Sequence, residues 1–87
     1  MDAFPNPFTS CVLFSLPAEE SGKVRLQIFD VVGRTIYHSE QRKPNSGATR
    51  IYWNGVDNLG RTVPIGVYLF RLDLNHVSHT GRLVKLE

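Results

Sequence analysis

Hydrophobic and polar positions alternate along much of this chain with a period of two. The clearest run is Lys23 to Phe29, with Val24, Leu26 and Ile28 on one face and Arg25 and Gln27 on the other, the pattern of a strand with one side on a core. The alternation returns in Val67 to Leu74, where Tyr68, Phe70 and Leu72 share a face. It appears again in Thr49 to Trp53, where Thr49, Ile51 and Trp53 oppose Arg50 and Tyr52. Trp53 is the single tryptophan, and the Tyr68 face is suited to cover its indole. Leu26, Ile28, Trp53, Tyr68, Phe70 and Leu72 are therefore the expected core. Further strands are expected at Val12 to Leu16, closed by Pro17, at Thr35 to His38, folding back on the Lys23 strand, and at Thr80 to Leu86. Pro64 confines the Thr62–Ile65 segment to a sheet edge, because proline cannot donate to a ladder. No segment sustains a helical period.

The connections carry their own signals. Asp30-Val31-Val32-Gly33-Arg34-Thr35 and Asp57-Asn58-Leu59-Gly60-Arg61-Thr62 repeat one frame, each followed by a β-branched residue. Aspartate opens such a turn by accepting the backbone N–H two residues on, and glycine supplies the left-handed position that closes it, so two hairpins of common design are expected. One aspartate per turn supplies too few oxygens for calcium. Residues 18–22 read as a polar loop, Ser39 to Gly47 as a solvated crossover between sheets, and Asn75 to Ser78 as a hairpin tip. Phe4-Pro5-Asn6-Pro7-Phe8 cannot be helical and reads as a stiff lead-in docked through Phe4 and Phe8. About seven short strands with turn signals roughly every 8–12 residues predict an all-β, immunoglobulin-like antiparallel sandwich with Greek-key connections, one domain over residues 1–87.

Composition narrows the function classes. Eighty-seven residues, 41% hydrophobic, suit one thin-cored domain burying about 60–65% of its unfolded surface. The net charge is +2 and the basic residues are dispersed along the sequence, so a nucleic-acid footprint is not indicated. The single cysteine, Cys11, has no internal partner and reads as a small buried hydrophobe. No apolar run reaches the length of a membrane span and no signal peptide opens the sequence. Met1 and Leu86-Glu87 read as cloning additions, with any targeting sequence on a part not present.

The chemistry-bearing residues do not converge. His76 and His79 are three apart and His38 is remote, short of a zinc ligand set. No serine sits in a nucleophile elbow and no phosphate loop occurs. Glu19-Glu20 points apart on a strand and is ordinary solvation on a loop. No catalytic residue, metal or cofactor is expected, and the chain does not read as an enzyme. Tyr37, Tyr52 and Tyr68 fit half-buried sheet positions or an aromatic platform for sugar or peptide.

Four segments taken together carry a family resemblance: Phe4-Pro5-Asn6-Pro7-Phe8, Val24 to Arg34, Gly66 to Leu72, and Gly81-Arg82-Leu83-Val84-Lys85. In this order the chain resembles the C-terminal sorting domain of type IX secretion substrates. Its middle, Trp53 to Tyr68, is also similar to the immunoglobulin-like domain of the flagellar hook-capping protein. The resemblance implies a seven-stranded sandwich at the C-terminus of a larger exported protein, with cargo N-terminal in the same chain. It implies recognition by an outer-membrane translocon, handling by a surface protease, and a secreted or cell-surface destination reached through the periplasm. Neither nucleic acid nor a membrane span belongs to that picture. The recognition candidates it transfers are Asp30, Gly33 and Arg34 in the first turn, Gly66 and Tyr68 in Gly-x-Tyr, and Lys85 near the end. Each also has a structural role open to it: glycine for positive φ, aspartate for the turn, tyrosine for the core. Glu87 departs from the basic or apolar ending of such domains. The competing expectation is a structural, carbohydrate-binding or protein-binding accessory module, which predicts an exposed aromatic row on one sheet.

Overall fold

The structure, a computed structural model, describes residues 3–16, 22–43 and 49–86. Seven strands form two antiparallel sheets with no helix among the described residues: β1 (Ala3–Phe4), β2 (Val12–Leu16), β3 (Gly22–Phe29), β4 (Thr35–Lys43), β5 (Thr49–Trp53), β6 (Gly66–Leu74) and β7 (Val77–Lys85). One sheet has the order β1-β2-β5 and the other β4-β3-β6-β7. The chain changes sheet between β2 and β3, between β4 and β5 and between β5 and β6. This is the immunoglobulin-like Greek-key sandwich that the strand pattern predicts.

Alternation decides what lies between the layers. Val12, Phe14 and Leu16 of β2 and Ile51 and Trp53 of β5 meet Val24, Leu26 and Ile28 of β3, Tyr68, Leu72 and Leu74 of β6 and Leu83 of β7, all buried. Full burial of side chains of this size contributes about 1.5–3 kcal/mol each. Phe70 is only half-buried. Its cross-strand partner is Gly81, which offers no side chain to cover the ring, and Phe70 instead lies over that glycine and edge-on to Phe14 at 4.9 Å between centroids. The indole of Trp53 is ringed by Phe8 and Tyr68, both at 5.6 Å, and by Tyr37 at 6.4 Å. Tyr68 is thus the one member of the Tyr68-Phe70-Leu72 face with a ring contact to the indole. The Trp53 Nε1–H donates to the Val56 carbonyl at 2.8 Å.

Several element boundaries depart from the sequence reading. β4 runs on through Ser39–Lys43, paired with Gly22–Leu26, where Glu40 and Arg42 share the outer face with Arg25 and Lys23 and Glu40 forms ion pairs with both Lys23 and Arg25. A composition that reads as solvated loop is therefore an exposed strand. The β6–β7 turn is just Asn75-His76, both at positive φ (51° and 67°), so Val77 and Ser78 belong to the strand. Phe8 docks in the core as expected, but Phe4 is exposed. The register Phe4↔Leu13 puts its ring on the outer face of β2. Thr62–Ile65 joins neither sheet and makes only the isolated bridge Val56↔Thr62, since Pro64 has no N–H and its carbonyl is taken by the Tyr68 hydroxyl. Cys11 is half-buried, and His79 is half-buried in β7 opposite Leu72, whereas His38 and His76 are exposed. The expectations for 17–21 and for 44–48 lie outside the described residues.

Both outer edges of the four-stranded sheet are partly closed by asparagine side chains. On β7, Asn6 Nδ2 donates to the Arg82 carbonyl at 2.8 Å and Val84 N–H donates to Asn6 Oδ1 at 3.0 Å. Phe8 continues the same edge, its N–H donating to the Val84 carbonyl and its carbonyl accepting from Leu86 N–H, each at 2.9 Å. On β4, Asn58 bonds both the N–H and the carbonyl of His38, at 2.9 and 3.1 Å. A carboxamide has the donor and acceptor spacing of a peptide group, and covered edges resist unwanted pairing.

Candidate functional site

The two Asp-x-x-Gly-Arg turns fold alike and meet at one end of the sandwich. In the first, Asp30 Oδ1 accepts the N–H groups of Val32 and Arg34, both at 3.0 Å, and Oδ2 accepts Arg34 Nε at 2.7 Å. In the second, Asp57 Oδ1 accepts from Leu59 and Arg61 at 2.9 and 3.0 Å, and Oδ2 from Arg61 Nε at 3.1 Å. The backbone closes each loop twice, from Asp N–H to the Arg carbonyl and from Gly N–H to the Asp carbonyl. Gly33 and Gly60 take φ of 96° and 81°, a region closed to side chains at low cost. Each carboxylate is held below its ordinary value of 3.8, foremost by the backbone N–H of its own arginine, which outweighs the opposing effect of burial.

An open cleft of about 660 Å³ lies between the turns, lined by Asp30, Arg34, Asp57, Arg61, Pro64 and Tyr68 among others. Tyr68 is buried at its base, and burial, with the Asp30 charge in support, pushes its phenol above 10.0. Its O–H donates to the Pro64 carbonyl four residues back, a corner that fixes the loop entering β6. Arg34 and Arg61 are largely exposed, each anchored through Nε, and their terminal nitrogens make no hydrogen bond among the described residues.

The sequence candidates divide accordingly. Asp30, Arg34 and Tyr68 come together at the cleft, Gly33 closes the turn beside it, and Gly66 opens β6 two residues before Tyr68. Lys85 stands apart on the inner face of β7 and is 4% exposed. Its stem packs beside Gly55, where an added Cβ would lie 2.9 Å from Lys85 Cε. The three tyrosines do not form one row: Tyr37 and Tyr68 face the core and Tyr52 the solvent.

What sequence reasoning passed over is the second turn's contribution, Asp57 and Arg61, and the exposed aliphatic residues of the two turns and of the loop before β6. Val31 is 67% exposed, Val32 77%, Leu59 76% and Ile65 65%. The signal was present, since tips are normally built from Gly, Asn, Asp and Ser, and Val-Val inside a turn has no conformational reason. Among the described residues no group of three His, Cys, Asp or Glu is placed to hold a metal ion.

Two solved structures share this fold. The chain superposes on dimeric latent PorU of Porphyromonas gingivalis with a TM-score of 0.77 at 18% identity, covering 98% of this chain and 9% of PorU. It superposes on FlgD of Xanthomonas campestris, described for hook capping in flagellar assembly, with a TM-score of 0.66 at 19% identity, covering 94% of this chain and 59% of FlgD. The chain thus spans less than two thirds of either. No curated protein matches it. The sequence matches the secretion system C-terminal sorting domain over residues 2–86. That match takes in both turns, the Gly-x-Tyr strand and the closing strand, and the chain belongs to this family of type IX secretion sorting signals.

Proposed function

We propose that this domain works as a folded address, without chemistry of its own, at the C-terminal end of an exported cargo in the same chain. The cargo passes to the periplasm, the outer-membrane translocon reads the folded sandwich, and a surface protease then separates cargo from address. The carrying observation is the outer edge of β7. From Arg82 to Leu86 it is occupied by Asn6 and Phe8, whereas from Ser78 to Thr80 no hydrogen bond among the described residues covers it. A receptor strand added to that stretch reads backbone groups, a mode that needs a folded domain and little side-chain information. Buried Lys85 and Tyr68 then act through the fold, as supports of the strand end and of the loop before β6.

The test is a reporter carrying these 87 residues at its C-terminus in a type IX-competent bacterium. The intact fusion should reach the cell surface. A version stopped after Thr80 should leave folded reporter in the periplasm. Surface delivery of the truncated fusion would refute a folded address.

An accessory binding module is the second reading, and one observation favours it. The registers Phe4↔Leu13 and Leu13↔Tyr52 set Phe4 and Tyr52, both exposed, in one cross-strand row on the outer face of the three-stranded sheet. At strand spacing the two rings stand about 10 Å apart. Glycan-array binding that is lost in Tyr52→Ala would support that reading.

A further inference from the structure

We propose that the two turn tips form a preformed plug that seats in an apolar, carboxylate-rimmed socket on a protein of the export machinery. This rests on the sorting role above and names the surface that gives it identity. A strand edge presents backbone and so distinguishes poorly between one domain and another, and side chains must supply the discrimination.

The tips, with the neighbouring loop before β6, have the composition of an interface core. Val31, Val32, Leu59 and Ile65 are all at least 65% exposed and lie within two residues of cleft-lining positions. Scattered exposed aliphatics need no explanation, but four gathered on the loops of one end of a small domain do. Val31, Val32 and Leu59 are also rigidly presented, and Ile65 follows Pro64, whose carbonyl is held by the Tyr68 hydroxyl. Each turn is locked by two backbone hydrogen bonds and three to its aspartate, so little loop entropy is lost on docking.

The arginines say what kind of surface covers them. Asp30 and Asp57 cancel the charge of Arg34 and Arg61, so the tip is neutral and gains no long-range attraction to an anionic bilayer. Insertion into lipid would also carry two ion pairs towards a medium that cannot solvate them. The terminal guanidinium nitrogens still have donors to spare, in a fork that matches a carboxylate or a pair of carbonyls. A protein socket supplies both an apolar floor for the aliphatics and such acceptors at its rim.

The experiment uses the reporter fusion with Val32→Thr and Leu59→Gln together. These changes keep every aspartate, glycine and arginine of both turns and every backbone N–H they bind. The thermal midpoint of the variant should match that of the parent, while surface delivery should fall by about tenfold or more, the scale expected for two buried anchors. A photo-crosslinker at position 32 should capture an outer-membrane protein that the same probe at position 52 does not. Arg61→Lys, which keeps charge but loses the fork, should show an intermediate loss. Wild-type delivery by the folded double variant, with no specific crosslink from position 32, overturns the plug and leaves the sorting role standing. Failure of the unmutated fusion to reach the surface overturns the sorting role instead, and the crosslink then reports on the plug by itself. Tip-dependent sedimentation of the purified domain with vesicles of phosphatidylethanolamine and phosphatidylglycerol overturns the protein socket in favour of lipid.

Discussion

Replacing Asn6 by alanine removes a piece of surrogate strand without touching the core. The side chain makes two hydrogen bonds to the edge of β7, at 2.8 and 3.0 Å, each worth about 0.5–1.5 kcal/mol net in a folded protein. Water reaches this edge and replaces part of what is lost, so the expected destabilisation is about 1–2 kcal/mol, in the lower part of the summed range. A domain this small unfolds in urea with a slope of about 1 kcal/mol per molar, which places the midpoint about 1–2 M lower at unchanged slope. Asn6→Asp keeps an acceptor for Val84 N–H and loses the donor to Arg82, so it should fall between the two. Asn58→Ala removes the matching pair of bonds at His38 on β4, at the far edge of the same sheet, and distant sites add. Equilibrium urea titrations of the two single variants and the double variant measure all of this. A midpoint for Asn6→Ala within about 0.3 M of wild type would mean that the carboxamide is not acting as a strand.

Three other outcomes follow from the geometry. His76 sits at φ 67° in a turn that favours Asn-Gly, so His76→Gly should stabilise by about 0.5 kcal/mol once glycine's extra unfolded-state entropy is subtracted; a lowered thermal midpoint would contradict it. Gly81→Ala puts a Cβ 2.6 Å from Phe70 Cε2, forcing the ring off Phe14 at a cost of about 1–3 kcal/mol, and Phe70→Leu should recover part of the loss in the double variant. Asp30 and Asp57 have folded values below the ordinary 3.8, so their contribution is complete above that pH and is lost as pH falls through the lower folded values. Thermal midpoints of wild type and Asp30→Asn should therefore differ near neutrality and converge under strong acid, and a gap that widens with acidity would reverse the sign of the argument.

Where alternation is strict the sequence reading and the structure coincide. Val24-Leu26-Ile28 and Ile51-Trp53 are buried because period two admits only one inward face. The turns were legible from Asp and Gly, whose local bonding needs no tertiary information. Boundaries failed where pairing overrides composition: Ser39–Lys43 reads as loop residue by residue, yet its register with β3 makes it strand. Phe4 reads as an anchor, and only the pairing with Leu13 reveals that it faces outward. The convergence of Asp30 and Asp57, 27 positions apart by their numbers, depends on the packing of two connections at one end, which no local pattern encodes. The basic residues dispersed in the sequence behave similarly. Lys23, Arg25, Arg42, Arg71 and Arg82 share the outer face of the four-stranded sheet, with Glu40 and Asp73.

The parallel bridge between Phe8 and Lys85 means that the segment opening this domain finds its place only against the strand that closes it. With 78 positions separating Asn6 from Val84, the sandwich cannot finish folding while its closing strand is still being translated. A completed sandwich therefore certifies that both ends of the domain are present and joined.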